Sequence, residues 1–290
     1  MATHPRRRRH RRRRISASVI LLLFVLILLV LSLYHSNHAI QITAFDPVFT
    51  DLPAGFDGCK IVVLSDLHGA EFGEDNEPLF SAVSAENPDY IFYLGDLEDR
   101  YRGAQTDYAE IVASGLTAIA PTYYVTGNHE WAIGDVPTLK ERLAAHGVTV
   151  LSNRHVPVER NGETILLAGV DDPNGYADQK TPEELTAELY AEYGDSFWLL
   201  LAHRNDRFEE QYSLLGADLV LSGHGHGGIV RLPFTDGLLS TNRTFFPSYT
   251  AGLYEKNGSV LFVTRGLGNS GPSLRLFNRP EVAALTLHKG

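Results

Sequence analysis

Residues 60–69 read KIVVLSDLHG, a short β-branched run that ends in polar residues and glycine. A β-branched apolar run of four to eight residues, bounded by a turn, is typical of a buried strand and predicts one at 60–65. Comparable runs predict further strands at 88–94, 122–126, 164–170, 196–202, 218–222 and 282–287. Helical patterns lie between them, near 75–87, 105–118, 136–146, 181–192 and 206–214. The alternation predicts an α/β fold of repeated βα units around largely buried sheets.

Polar residues follow five of the predicted strands. In α/β sheets, ligands bind in the crevice beyond the carboxyl ends of the strands, so we expect these residues to meet in one site. Neighbouring glycines allow the backbone to approach closely and to adopt positive φ angles. The oxygen and imidazole side chains at these strand ends are Asp66, His68, Asp96, Asn128, His203, His224 and His226.

These seven side chains predict a site for two metal ions. Seven ligands are too many for one ion, and oxygen and nitrogen ligands without a thiolate suit Mn²⁺, Fe²⁺ or Fe³⁺, or Zn²⁺, with one carboxylate shared. Each motif alone is common by chance, and a single histidine at a strand end is more often structural. The joint placement of the motifs at successive strand ends favours the metal site. The single cysteine, Cys59, excludes an internal disulfide framework and a cysteine-based zinc cluster.

The order of the motifs resembles that of the calcineurin-like metallophosphoesterases. The resemblance covers about residues 40–290 and rests on Asp66-x-His68, Gly95-Asp96-x-x-Asp99, Gly127-Asn128-His129-Glu130, His203 and Gly223-His224-x-His226. The glycine- and aromatic-rich tail, with Arg265-Gly-Leu-Gly-Asn-Ser270, is similar to that of a membrane-associated bacterial branch. The resemblance implies a four-layer α/β/β/α sandwich of two mixed sheets. One departure is Arg204-Asn205 after His203, where similar proteins often have a proline nearby.

The resemblance also implies a role for each site residue. The first metal would be held by Asp66, His68, Asp96 and His226, and the second by Asp96, Asn128, His203 and His224. Asp96 would bridge the two ions, and His129 would contact the phosphate or protonate the leaving oxygen. Asp99 and Glu130 would orient their neighbours.

The function expected from these assignments is hydrolysis of phosphate mono- or diesters, or of a lipid-linked pyrophosphate. Hydroxide activated by the two metals would attack phosphorus in line. Two other functions stay open: a different dinuclear metallohydrolase acting on an ester or amide, and a catalytically silent, metal-binding membrane module.

The N-terminus predicts a membrane anchor. Eight arginines in a basic segment, 1–14, precede an apolar segment, 15–34, whose 20 residues make about 30 Å of helix, one hydrocarbon thickness. A retained, single-pass signal anchor is favoured over a cleaved signal peptide, because the following residues lack a good cleavage site. The positive-inside rule places the arginines in the cytoplasm and the catalytic domain, 40–290, outside the cell membrane after a tether at 35–39. A twin-arginine signal and a nucleic-acid-binding arm are the weaker alternatives.

The charge of the remaining chain restricts its partners. Beyond the arginine run, 17 basic residues face 35 acidic residues, a net charge of −18. Long-range repulsion from polyanions therefore makes nucleic acid an unexpected partner. The short tether would hold the domain close to the membrane, so phospholipids and other envelope phosphate esters are the expected substrates. An aromatic segment at 234–254 would either admit acyl chains or form a core layer.

Overall fold

The structure is a computed structural model that describes residues 16–232, 235–241, 244–271 and 274–290. In chain order its helices and strands are α1 (Ala17–His38), β1 (Gln41–Phe45), β2 (Val48–Phe49), β3 (Cys59–Leu64), α2 (Glu77–Ala85), β4 (Tyr90–Tyr93), α3 (Thr106–Thr117), β5 (Thr122–Tyr124), α4 (Asn128–Ile133), α5 (Val136–Ala145), β6 (Thr149–Val150), β7 (Arg154–Arg160), β8 (Glu163–Val170), α6 (Pro182–Tyr193), β9 (Trp198–Arg204), β10 (Leu219–Gly223), β11 (Gly252–Lys256), β12 (Ser259–Val263) and β13 (Glu281–Lys289). The predicted arginine segment and Ile15 lie outside the described residues.

The strands form two mixed sheets. In the first, the order is β1-β13-β3-β4-β5-β6, with β2 beside β13. Strands β3 to β6 are parallel, and β13 runs antiparallel to β3. In the second, the order is β11-β12-β10-β9-β8-β7, with parallel central strands and an antiparallel strand at each edge. The carboxyl ends of β3, β4 and β5 therefore lie at one edge of the first sheet, and those of β9 and β10 at one edge of the second.

The two sheets pack face to face between two helical layers. Ile61 and Val63 of β3 share one core with Leu199 and Leu201 of β9, whereas Val62 on the other face of β3 packs against the helices α2, α3 and α5. Helix α6 covers the outer face of the second sheet. Successive strand residues point to opposite faces, so a strand buried on both faces reads as a continuous apolar run. The predicted four-layer α/β/β/α sandwich is confirmed.

The helix predicted near 206–214 is wrong. Two short 3-10 helices, Asn205–Arg207 and Tyr212–Leu214, take its place. Gln211 interrupts the segment because its backbone (φ −134°, ψ −68°) leaves the helical region. Phe208 and Tyr212 are nonetheless buried. The apolar spacing thus correctly predicted which side chains are buried, but it did not predict the backbone conformation of the segment.

Helix α1 is longer than predicted. It has 22 residues, about 33 Å, and is long and apolar enough to cross a membrane. It continues to His38, so the predicted tether at 35–39 is mostly helical, and only Ala39 and Ile40 separate α1 from β1. The last turn is held by tertiary contacts, since Ser36 is buried and the side chain of Asn37 hydrogen-bonds residues more than 200 positions away.

Candidate metal centre

The structure brings all seven predicted ligand side chains together at one end of the two sheets. Three of them form a first group with Asp96. His68 Nε2 lies 3.1 Å from His226 Nε2 and 3.7 Å from Asp96 Oδ2. Asp66 Oδ1 lies 3.5 Å from His226 Nε2 and 4.0 Å from His68 Nε2. All four side chains are buried.

The other three form a second group with the same aspartate. His203 Nε2 lies 3.3 Å from Asp96 Oδ2, 3.3 Å from Asn128 Oδ1 and 3.2 Å from His224 Nδ1. Asp96 Oδ2 therefore stands between His68 of the first group and His203 of the second. The candidate ligand atoms form the groups Asp66/His68/His226 and Asp96/His203/His224, and a third group of His68, Asp96 and His129 overlaps them. These oxygen and nitrogen atoms fit two divalent ions that would share the carboxylate of Asp96.

The backbone of the site is held in an uncommon conformation. Non-glycine residues rarely adopt positive φ, and such outliers cluster at functional sites. Five of the seven predicted ligands do so: Asp66 (54°), His68 (49°), Asp96 (53°), His224 (63°) and His226 (47°). The fold therefore bears a local conformational cost to aim these side chains at common points.

The carboxylate of Glu130 ties together the loops after β4 and β5. It accepts hydrogen bonds from the backbone N–H groups of Gly127 (2.7 Å), Asp96 (3.0 Å), Leu97 (2.6 Å) and Glu98 (3.2 Å). Burial and the charge of Asp96 raise the pKa of Glu130 to about 8, while these N–H groups favour its ionised form. Glu130 positions the loop that carries Asp96, as the resemblance implied.

Gly95 makes the close approach of these two loops feasible. It has φ +84°, and a Cβ atom there would lie 2.3 Å from the backbone nitrogen of Gly127. Any side chain at position 95 would separate the loop carrying Asp96 from the loop carrying Asn128.

Electrostatics leave most of the imidazoles neutral and available as ligands. Burial lowers the pKa of His68 to about 4 and holds the pKa values of His224 and His226 well below the usual range. Burial also raises the pKa of Asp66 to about 6. Neutral imidazoles beside carboxylates are the protonation states that divalent metals require.

His203 and Asp96 form an ion pair within this group. Burial opposes the charge on each, but their mutual attraction raises the pKa of His203 to about 10 and holds that of Asp96 well below its usual range. The Nδ1–H of His203 donates to the carbonyl oxygen of Leu94 (2.7 Å), which turns Nε2 toward Asp96. A divalent cation at this point would displace the proton from Nε2.

His129 lies beside the two groups and faces the cleft. Its Nδ1 is 3.2 Å from Asp99 Oδ1 and accepts from the backbone N–H of Arg100 (3.1 Å), whereas Nε2 is 3.4 Å from Ser270 Oγ. Burial lowers the pKa of His129 despite the nearby Asp96 and Asp99. A neutral ring that accepts at Nδ1 carries its proton on Nε2, the nitrogen that points into the cleft.

The cleft above these groups has a volume of about 670 Å³. Besides the predicted site residues, its lining includes Arg100, Tyr101, Asn174, Arg204, Ile229, Thr241, Asn269, Ser270 and Gly271. Arg204 Nε donates to the buried Asp172 (2.7 Å), and Arg204 Nη1 lies 3.4 Å from His224 Nε2. Arg204 was not among the predicted site residues, although a charged residue directly after the candidate ligand His203 was an available signal. Asp172 gave no local signal.

Comparison with known proteins identifies a family whose sequence pattern covers the candidate ligands. The model of the calcineurin-like phosphoesterase family matches residues 59–228, more than half of the chain. This chain belongs to the calcineurin-like phosphoesterase family. As a member, it is a metal-dependent phosphoesterase. The matched range begins at β3 and ends just after His226, so it contains every predicted ligand.

Relatives of this calcineurin-like phosphoesterase occur in bacteria and animals. The uncharacterized metallophosphoesterase YkuE of Bacillus subtilis is 30% identical over 260 residues, 88% of this chain and 87% of that protein. A transmembrane protein with metallophosphoesterase domain from Danio rerio is 30% identical over 81% of this chain but only 54% of its own length. Together with α1, the transmembrane relative suggests that this chain associates with a membrane.

Among solved structures, the fold is similar to that of phosphopantetheinyl hydrolase (PptH) from Mycobacterium tuberculosis. The similarity covers 73% of this chain and 90% of that chain, with 14% sequence identity and a TM-score of 0.44.

Proposed function

We propose that this calcineurin-like phosphoesterase hydrolyses phosphate esters with two divalent metal ions, of which Mn²⁺, iron and Zn²⁺ suit the ligands. The first ion would be bound by Asp66, His68, Asp96 and His226, and the second by Asp96, Asn128, His203 and His224. The position of Asp96 Oδ2, 3.7 Å from His68 Nε2 and 3.3 Å from His203 Nε2, is the observation that carries this proposal. A bridging carboxylate needs a ligand of each ion on either side of it.

The bound ions would supply Lewis-acid charge for the phosphoryl oxygens and a hydroxide nucleophile at neutral pH. The residues of the chain complete the site. His129 turns Nε2 toward Ser270 and the cleft, where the neutral ring would hydrogen-bond a phosphoryl oxygen and the protonated ring would give its proton to the departing oxygen. Arg204, held by Asp172, places a fixed positive charge on the cleft wall beside His224, where it would bind a phosphate oxygen.

We further propose that α1 anchors the chain in the cell membrane as a single-pass helix. The eight arginines before it would lie in the cytoplasm and the catalytic domain, 40–290, outside. The substrates would then include phosphate mono- or diesters of the membrane or envelope, such as a phospholipid or a lipid-linked pyrophosphate.

Hydrolysis of paired chromogenic esters tests the reaction class. Full-length protein in detergent, loaded with Mn²⁺, is expected to cleave p-nitrophenyl phosphate, bis(p-nitrophenyl) phosphate or both. Chelation should abolish turnover and Mn²⁺ should restore it. Cleavage of p-nitrophenyl acetate with no cleavage of either phosphate would favour a different metallohydrolase, and metal-loaded protein inert toward all three would favour a silent binding module.

A further inference from the structure

Helix α1 joins the domain at the edge of the first sheet that carries the metal centre. Strand β1 is parallel to β13, with Gln41 opposite Glu281. Strand β13 is antiparallel to β3, with Ala283 opposite Val63, so the start of β13 and the end of β3 lie at the same edge. Asp66 follows β3 at that edge. A membrane that contains α1 would therefore lie on the side of the domain where the cleft opens.

The end of α1 is fixed directly to the wall of the cleft. Asn37 Oδ1 accepts hydrogen bonds from Asn269 Nδ2 (3.0 Å) and from the backbone N–H of Arg275 (3.2 Å), and Asn37 Nδ2 donates to the carbonyl oxygen of Arg275 (3.1 Å). Asn269 lines the cleft. The guanidinium of Arg275 is fully buried and donates to the carbonyl oxygens of Arg265 and Gly268. These contacts fix the end of α1 at the wall of the cleft.

Large apolar side chains are exposed next to this junction. We name the apolar rim as Leu232 (41% exposed), Phe245 (67%), Phe246 (72%), Leu274 (54%) and Phe277 (50%). Among the residues that the structure describes, the exposed phenylalanines outside α1 are the three in this rim, Phe245, Phe246 and Phe277.

Backbone hydrogen bonds link the segments of the apolar rim. The N–H of Arg231 donates to Leu276 (3.0 Å), that of Leu238 to Val230 (2.8 Å) and that of Phe246 to Leu238 (3.0 Å). The same segments supply Ile229, Thr241, Asn269 and Ser270 to the cleft. These bonds place the backbone segments of the rim beside segments that line the cleft and beside Arg275, which hydrogen-bonds the end of α1.

The expected aromatic segment at 234–254 is divided in two. Tyr249 and Tyr254 pack against the core of the second sheet, whereas Phe245 and Phe246 face solvent. Phe234 lies outside the described residues. Phe246 and Phe277 have φ angles of 53° and 54°, a strained conformation for a bulky residue. An exposed aromatic side chain held at a conformational cost indicates an interaction surface.

The binding partner that fits this surface is the lipid bilayer in which α1 would be embedded. Amphipathic surfaces bind membranes through buried apolar area and through attraction to anionic lipids. The net charge of −18 beyond the arginine run disfavours electrostatic attraction to anionic lipids, so apolar contact is the attraction that remains between the surface of the anchored domain and the bilayer.

We infer that the apolar rim inserts into the membrane leaflet beside α1 and places the mouth of the cleft at the level of the lipid headgroups. The substrate class is then a phosphoester whose phosphate belongs to a membrane lipid. The substrate part of this inference rests on the proposed phosphoesterase activity, whereas rim insertion does not.

Depth measurement on the full chain tests insertion without any activity. Cys59 is fully buried, so a nitroxide label attaches selectively to a new cysteine in Phe246→Cys or in the control Leu214→Cys. Leu214 is 67% exposed and lies before β10, at the opposite edge of the sheet from His224. In phosphatidylcholine nanodiscs, label 246 should collide with oxygen and be shielded from a water-soluble nickel complex, in low and high salt alike, and label 214 should show the reverse. Equal exposure of both labels to the nickel complex would overturn the inference.

Activity in phosphatidylcholine nanodiscs that also contain phosphatidic acid or phosphatidylglycerol tests the substrate class. In Phe245→Ser/Phe246→Ser, hydrolysis of phosphatidic acid or phosphatidylglycerol is expected to fall roughly tenfold or more relative to Leu214→Ser. Hydrolysis of bis(p-nitrophenyl) phosphate should stay within about twofold. Equal losses on lipid and soluble esters, or cleavage of the soluble ester alone by the unmodified chain, would contradict a lipid substrate. A chain that cleaves no phosphoester would refute the proposed function. Rim insertion would then be accepted or rejected on the depth measurement, which does not depend on activity.

Discussion

Asp96→Asn is expected to lose both metal binding and turnover. The substitution keeps the shape of the side chain and Oδ1, which accepts a hydrogen bond from the backbone N–H of His129 (2.8 Å), but removes the negative charge and replaces the oxygen at Oδ2 with an amide nitrogen. That position lies between the two ligand groups, so the change affects both proposed ions. Substitution of a residue that only hydrogen-bonds a metal ligand lowers metal affinity by roughly 10- to 100-fold. Loss of a ligand shared by both ions should lower the affinity further. Metal content after gel filtration measures the loss of metal binding, and kcat measures the loss of turnover.

The control for this variant is Asp178→Asn, which removes an equal charge from an exposed loop residue. It should bind metal and turn over as the unmodified chain does. Full metal-dependent turnover in Asp96→Asn would break the assignment of Asp96 as the bridging ligand.

His129→Ala is expected to keep both metals and lose turnover by about 10² to 10⁴, the usual contribution of general acid–base help. His129 lies beside the ligand groups, but its Nε2 points to the cleft and to Ser270 Oγ. If it protonates the departing oxygen, the loss should be larger for an alkyl phosphate than for p-nitrophenyl phosphate, whose leaving group departs without a proton. If it mainly binds the phosphate, the two losses should be equal.

His288→Ala serves as the control for this variant, because His288 is 42% exposed near the end of β13, at the opposite edge of the sheet from the site. Its kinetics should be unchanged. Loss of metal from His129→Ala would instead make His129 a ligand, and unchanged turnover would remove it from the reaction.

The parts of the fold that were predictable are those with a strong local pattern. β3 was predictable because both of its faces are buried, so its sequence is continuously apolar. β7 (Arg154–Arg160) was missed because this edge strand carries arginine at both ends and buries only Val158. β11 (Gly252–Lys256) is half exposed in the same way. Such strands are stabilised by pairing with their neighbours, which a single-sequence pattern does not report.

The clustering of the candidate ligands was predictable to a greater extent than the fold. The strand-end rule correctly placed Asp66, Asn128 and His226 together although they are distant in sequence. The short helix α4, which starts at Asn128, was not predicted, because it depends on the tertiary contacts of Glu130 with the loop after β4.

The junction at Asn37 had no sequence signal. Its partners, Asn269 and Arg275, are 232 and 238 positions away. The tether was predicted at 35–39 because the apolar segment ends at 34, whereas helix α1 continues to His38 and its last turn is held by these tertiary hydrogen bonds.

Titration of the metal-free full-length protein with Mn²⁺, followed by electron paramagnetic resonance, tests the central claim most directly. Binding of about two Mn²⁺ per chain, with the spin-coupled signal of two ions that share a bridging carboxylate, is the predicted result. Saturation at one Mn²⁺ per chain with the uncoupled signal of an isolated ion would contradict a dinuclear centre built around Asp96.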